Sequence, residues 1–228
     1  MDTTTIIIAL IAALVAGAVF LFSWNKYRPL SFGILAWFLG ALGLMLSGVS
    51  FFQKKGVWTD GDLIGYFGLS GALMGPVIVL LVAWKRSTGF TKFLDEIPTS
   101  TLVFLQVYRF GGALYLMLYL AGQLPLAVGF VTGVLDITVA TGALLLGGYL
   151  YSSGKKGDTA VLAWNGLGLL DLLIALNVIT LSVFGLIQLE PAPTLMGMPP
   201  ITLICTFQVP MAIFIHIYLI RRVMLSRR

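Results

Sequence analysis

Three ionisable side chains, Arg109, Asp136 and Asp171, stand near the middle of three different long apolar stretches. Moving such a group to the centre of a bilayer costs at least about 2.5–3.5 kcal/mol, so its presence there raises the expectation of a functional site. At about 1.5 Å of rise per helical residue, all three come to nearly the same depth on consecutive helices. Helical spacing adds neighbours: Gln106 three residues before Arg109, Thr132 four before Asp136, and Trp164 and Gly168 on the face of Asp171 with Asn165 at its flank. One arginine cannot neutralise two ionised carboxylates. The cluster therefore needs a protonated aspartate, or a bound cation, proton or ligand amine. That chemistry fits binding or proton-coupled movement of a small polar or cationic solute. The same residues also fit an Arg–Asp pair that only pins helices together, with the second aspartate neutral and hydrogen-bonded.

The elements that must position these groups are read from composition and hydropathy. Of 228 residues, 59% are hydrophobic and only 10% charged, and the mean hydropathy is +1.00, far from the roughly 25% charged of soluble domains. Seven stretches reach the roughly 20 residues that a helix needs to cross a bilayer: 5–24, 29–52, 62–84, 98–121, 124–151, 159–189 and 200–220. The expected fold is all-α, a polytopic seven-helix transmembrane bundle forming one domain over 1–228. Residues 1–97 supply three apolar helices; residues 98–228 supply four more and the polar cluster, with Gln208 and His216 on the last.

Lysine and arginine orient the chain. With the N-terminus outside, Lys26, Arg28, Lys85, Arg86, Lys92, Lys155, Lys156, Arg221, Arg222, Arg227 and Arg228 are cytoplasmic, and only Lys54 and Lys55 are outside. The positive-inside rule thus predicts an outer N-terminus and a cytoplasmic C-terminus in an inner (plasma) membrane. The net charge of +5 is spread over juxtamembrane segments without interleaved aromatics, which points to membrane lipid headgroups and not to nucleic acid. Met1-Asp2 carries no basic start of a cleaved signal, so the first stretch reads as an outward-starting helix. The single Cys205 excludes an internal disulfide and a cysteine metal cluster.

The 85–97 loop mixes charges with Phe90, Phe93 and Leu94 and is expected to lie along the interface; Pro98-Thr99-Ser100 offers capping hydroxyls to the fourth span. The proline-rich run from Glu190 to Pro200 separates the last two spans. Pro210 removes an amide donor and frees the carbonyl of Thr206, which predicts a kink beside Gln208. Small-residue spacing at Gly71/Gly75 and Gly129/Gly133 serves close helix packing or a homo-oligomer contact. His216, the only histidine, stands five residues before Arg221, which places it nearer the cytoplasmic surface than the three charges. That depth argues against a metal held by His216 and two aspartates, and no metal site or cofactor is assigned.

The C-terminal half, Gln106-x-x-Arg109-x-x-Gly112, Leu124-Pro125, Gly133-x-x-Asp136, Trp164-Asn165-x-x-Gly168-x-x-Asp171 and Phe207-x-Val209-Pro210 followed by His216, resembles an uncharacterised family of bacterial multi-pass integral membrane proteins. Cys205 departs from that pattern, which holds proline there. The resemblance implies no activity. Retinal proteins require a lysine inside the last helix, and no span contains one; ceramidase-type zinc hydrolases require several histidines. The preferred expectation is a binding or transport protein using Gln106, Arg109, Asp136, Asn165, Asp171 and Gln208, with Trp164 and His216 secondary. A non-catalytic accessory subunit or scaffold of a larger membrane complex is the alternative, and an intramembrane enzyme or haem or metal protein using His216 is the third reading.

Overall fold

The computed structural model describes residues 3–154 and 158–226, so Met1-Asp2, Lys155-Lys156 and Arg227-Arg228, with their parts in the signal and charge-bias arguments, lie outside the described residues. Those residues form helices and no strands. Seven helical stretches are long and apolar enough to cross a membrane: Thr3–Trp24, Arg28–Leu46, Asp62–Arg86, Thr99–Leu120, Ala127–Ser153, Asp158–Val183 and Ile204–Leu225. The chain divides into two compact units, the first comprising Met1–Glu96 with Thr194–Met211 and the second Ile97–Pro193 with Ala212–Arg228.

The first unit holds α1 (Thr3–Trp24), α2 (Arg28–Leu46), α3 (Asp62–Arg86) and the short α4 (Thr88–Glu96). The second span ends at Leu46, six residues short of the sequence expectation. Gly48, at φ +73, takes the left-handed turn that stops the helix, and Ser47 and Gly48 donate back to Gly43 and Met45. The chain beyond it is a folded loop in which Phe52 is fully buried. The Asp62 carboxylate organises that loop, accepting from the amides of Gln53 and Thr59 and from the Thr59 hydroxyl, each at 2.7 Å. The connector between the last two spans joins it: Phe51 N donates to Gly197 O at 2.8 Å and Gly56 N to Thr194 Oγ1 at 2.6 Å. α4 turns Phe90, Phe93 and Leu94 inward and keeps its charged residues on the other face.

The last span opens on a π-turn, Ile204–Gln208, before α9 (Val209–Ser226). Pro210 cannot donate to the Thr206 carbonyl, and Trp37 of α2 takes over the bond, its indole N–H donating at 2.8 Å. Phe207 packs edge-on against both Trp37 and Phe38. The irregular turn is therefore satisfied from outside its own helix.

The second unit contains span four as three pieces, α5 (Thr99–Phe104), a 3-10 stretch (Leu105–Gly112) and α6 (Ala113–Leu120), followed by a π-turn (Ala127–Val131), α7 (Thr132–Ser153), α8 (Asp158–Val183) and the remainder of α9. Span four starts at Thr99 with Pro98 as its cap, and no side-chain hydroxyl bonds there; Thr101 N donates to Pro98 O instead. α8 stops at Val183, not 189, because Gly185 at φ +69 closes a Schellman turn in which Leu186 N donates to Leu181 O at 2.8 Å. The apolar run continues past that turn, so hydropathy cannot see it.

Trp37→Phe is expected to lower stability by about 1–3 kcal/mol because the Thr206 carbonyl loses its donor. In a Pro210→Ala background, where residue 210 regains an amide, the same substitution should cost distinctly less. Thermal unfolding of the four proteins in one detergent closes this cycle, and equal costs in both backgrounds would remove the assignment.

Candidate polar centre of the second unit

The centre is built on the guanidinium of Arg109, which the 3-10 stretch of span four turns inward together with Gln106, three residues before it. Its Nε donates to Asp136 Oδ1 at 2.6 Å and its Nη2 to Asp171 Oδ2. Its Nη1 lies 3.4 Å from the Gly168 carbonyl and 3.2 Å from His216 Nε2. One side chain thus reaches α7, α8 and α9. Arg109, Asp171 and His216 are buried, and Asp136 is only slightly accessible.

The hydrogen-bond pattern fixes the histidine tautomer. Asn165 Nδ2 donates to Val161 O at 2.7 Å, so its Oδ1, 2.8 Å from His216 Nδ1, must accept. His216 Nδ1 therefore carries the proton and Nε2 accepts from Arg109, a neutral imidazole beside a guanidinium. Trp164 lies against the His216 ring at 5.2 Å between centroids and donates its indole N–H to Val139 O at 2.9 Å.

Glycines set the close approaches. A Cβ at Gly168 would stand 2.5 Å from His216 Nε2, so only glycine there admits the imidazole against α8. A Cβ at Gly112 would collide with Asp136 and stand 3.1 Å from the Gly133 carbonyl, and one at Gly133 would stand 2.9 Å from the Gly112 carbonyl. This pair lets span four and α7 touch backbone to backbone, which puts Asp136 within reach of Arg109.

The structure brings Gln106, Arg109, Asp136, Asn165, Asp171, Trp164 and His216 into one unit, and it places Gln208 in the other, within the π-turn of the last span. His216 is at the heart of the centre, fully buried and in contact with Arg109, and not apart from the three charges as its expected depth implied. The sequence estimate took Arg221 as the end of the span, whereas the helix runs on through Arg222, whose guanidinium donates to Ile97 O at 2.6 Å. With Ile204–Leu225 as the span, His216 falls near its middle. Gly112 and Gly168 stand in the sequence three residues from Arg109 and Asp171, and only the structure shows that each makes room for a partner of the guanidinium.

Several buried polar atoms have no hydrogen-bond partner: Gln106 Nε2 and Oε1, Thr132 Oγ1 and Asp171 Oδ1. In a dry interior each such atom carries a desolvation cost of about 1–3 kcal/mol. Gln106 is the notable one, because a whole amide, donor and acceptor, is fully buried and unmatched. Asn165, by contrast, has both ends of its amide engaged.

Among the described residues no group of three or more His, Cys, Asp and Glu is arranged to hold a metal ion. The guanidinium occupies the space between Asp136, Asp171 and His216 where a cation would sit. Both ring nitrogens of His216 are engaged, so neither faces outward as an axial haem ligand would.

Residues 66–224 match the family described as Domain of unknown function (DUF8737). The chain belongs to that family. The matched region contains every residue of the polar centre and begins within α3, past the first two spans. No curated protein and no solved structure matches the chain.

Two outcomes are expected of this geometry. Arg109→Gln strands two buried carboxylates and should destabilise the protein by about 3–5 kcal/mol; adding Asp136→Asn and Asp171→Asn should restore most of that loss, as read by thermal unfolding. Nitrogen-15 NMR of the sole histidine should report a neutral ring protonated at Nδ1, and an Nε2-protonated ring would overturn the network as drawn.

Proposed function

We propose that the chain is a polytopic plasma-membrane protein, N-terminus outside and C-terminus cytoplasmic, that binds or transports a small polar or cationic solute at the Arg109–Asp136–Asp171 centre with exchange of a proton. The observation that carries this reading is the mismatch inside the centre. Two carboxyl groups share one guanidinium, and one carboxyl oxygen of Asp171 and the amide of Gln106 have no partner. Two ionised carboxylates would leave the group one negative charge in excess, which a proton or a cationic solute must balance. As a solute arrives, one carboxyl changes protonation while the other keeps its bond to Arg109. Gln106 supplies an amide donor and acceptor to orient the solute, Thr132 a hydroxyl, and Asn165 holds His216.

The membrane and its sidedness rest on seven apolar spans and on the lysine and arginine bias of the alternate loops. Movement is supported by the broken helical geometry of spans four, five and seven, since 3-10 and π segments inside long helices often mark functional hinges.

A second reading, an accessory subunit or scaffold in a larger membrane complex, is favoured by the engagement of Arg109 with partners on α7, α8 and α9 at once. The two readings separate in one experiment. Purified protein is screened by thermal shift against classes of small amines, amino acids, quaternary ammonium ions and neutral polar solutes, beside Asp171→Asn and Gln106→Leu. A solute class that stabilises the wild type, loses its effect in both folded variants and drives proton flux in proteoliposomes is the expected result. Stabilisation by none of these classes, with both variants altering only thermal stability or complex assembly, would select the scaffold.

A further inference from the structure

The first unit carries a second feature, separate from the polar centre. An apolar groove of about 420 Å³ lies between α2 and α3, with Gly33 and Trp37 on one wall, Pro76 and Val79 on the other, and Tyr27 and Phe90 closing one end. Its existence follows from three residues. Gly33 has no side chain, and a Cβ there would meet nothing within 4 Å. Trp37 turns its indole N–H to the Thr206 carbonyl and so leaves an apolar floor. Pro76 stands inside α3 and cannot continue its amide ladder.

The two ends of the groove differ in charge. α2 runs away from Arg28 and α3 returns to Arg86, and the two termini meet where Tyr27 Oη and Ser87 Oγ lie 3.1 Å apart. Tyr27 also stacks on Phe90 and Phe93, which docks α4 across that end. Lys26, Arg28, Lys85, Arg86 and Lys92, each within three residues of a lining residue, are exposed around the junction. The nearest acids in sequence, Asp95 and Glu96, stand at the far end of α4. From Pro29 to Trp37 the groove follows α2 for about 12 Å away from this basic rim. One face thus presents a slot of hydrocarbon character capped by cations.

We propose that this groove binds one acyl chain of an anionic phospholipid whose phosphate rests against Arg28, Lys85 and Arg86. The charge complementarity selects the occupant: a zwitterionic lipid satisfies the slot but not the surplus of cations, and a second copy of the chain would bring the same basic rim against itself. Basic residues near a membrane surface favour anionic lipid additively, which makes a built cluster at the mouth of an apolar slot selective and not merely attractive.

The test is native mass spectrometry of the full chain released from micelles containing phosphatidylglycerol and phosphatidylcholine with identical acyl chains. The wild type should retain one phosphatidylglycerol with about tenfold preference. Arg28→Gln, Lys85→Gln and Arg86→Gln together should bring the preference near unity while some lipid is still retained. Gly33→Phe should abolish retention by filling the slot, and Val79→Trp, an exposed position on the opposite wall, should do the same if Gly33→Phe does not fold. Gly40→Phe, on α2 outside the groove with nothing near its Cβ, should bind as the wild type does. Equal retention of both lipids, retention surviving in a folded groove-filling variant, or a lipid-free dimer would overturn the proposal. None of these outcomes depends on whether the polar centre of the second unit binds a solute.

Discussion

A guanidinium shared between two carboxyl groups inside an apolar bundle is the interaction on which the second unit is organised. A charged side chain in hydrocarbon costs about 2.5–3.5 kcal/mol even on the mildest scale, and the protein offsets this by giving Arg109 acceptors in several directions. Asp136 meets Nε, Asp171 meets Nη2, and the Gly168 carbonyl and His216 meet Nη1. Each acceptor imposes a condition on the backbone. Asp136 can reach only because Gly112 and Gly133 let span four and α7 touch, and His216 only because Gly168 leaves room beside α8. The 3-10 winding of span four puts Gln106 and Arg109 on one row, since residues three apart eclipse in that geometry.

The first unit meets a comparable constraint with backbone groups. Pro210 deprives the Thr206 carbonyl of its donor at the start of a helix long and apolar enough to cross a membrane, and the Trp37 indole fills the gap. The same tryptophan then packs against Phe207 and forms the floor of the apolar groove. The loop after α2 is ordered in the same manner, by one buried carboxylate, Asp62, collecting two amides and a hydroxyl. Irregular backbone is tolerated in both places because a side chain from another element is aimed at it.

Hydropathy made the seven spans legible because apolar length is a bulk property that survives small errors at the ends. The common level of Arg109, Asp136 and Asp171 on successive helices follows from counting along the same stretches, and the structure joins the three through one guanidinium. The ends of the spans were not legible: Gly48 and Gly185 close their helices by adopting positive φ, while apolar residues continue beyond each. That error had a consequence at His216, whose depth was counted from Arg221 although the helix continues and Arg222 turns to the Ile97 carbonyl. Gln208 was grouped with the centre by polarity and by span, but membership of a span does not fix membership of a unit when the last span is divided between two. The freed carbonyl of Thr206 was visible in the sequence; the residue that answers it, 169 positions away in the chain, was not.

The count of charges separates a fastening from a working centre more sharply than geometry does. To pin three helices, one arginine needs one carboxylate and further neutral acceptors, and the Gly168 carbonyl and the Nε2 of His216 already provide these. A second carboxyl on the same guanidinium adds like-charge repulsion unless it holds a proton. Oδ1 of Asp171 meets no donor at its fully buried position. An asparagine at 171 would accept from Arg109 through its carbonyl without introducing the surplus charge. The second acid, like the unmatched amide of Gln106, is thus a cost that the fold does not require, and such costs concentrate where a protein must change its charge state or receive another molecule.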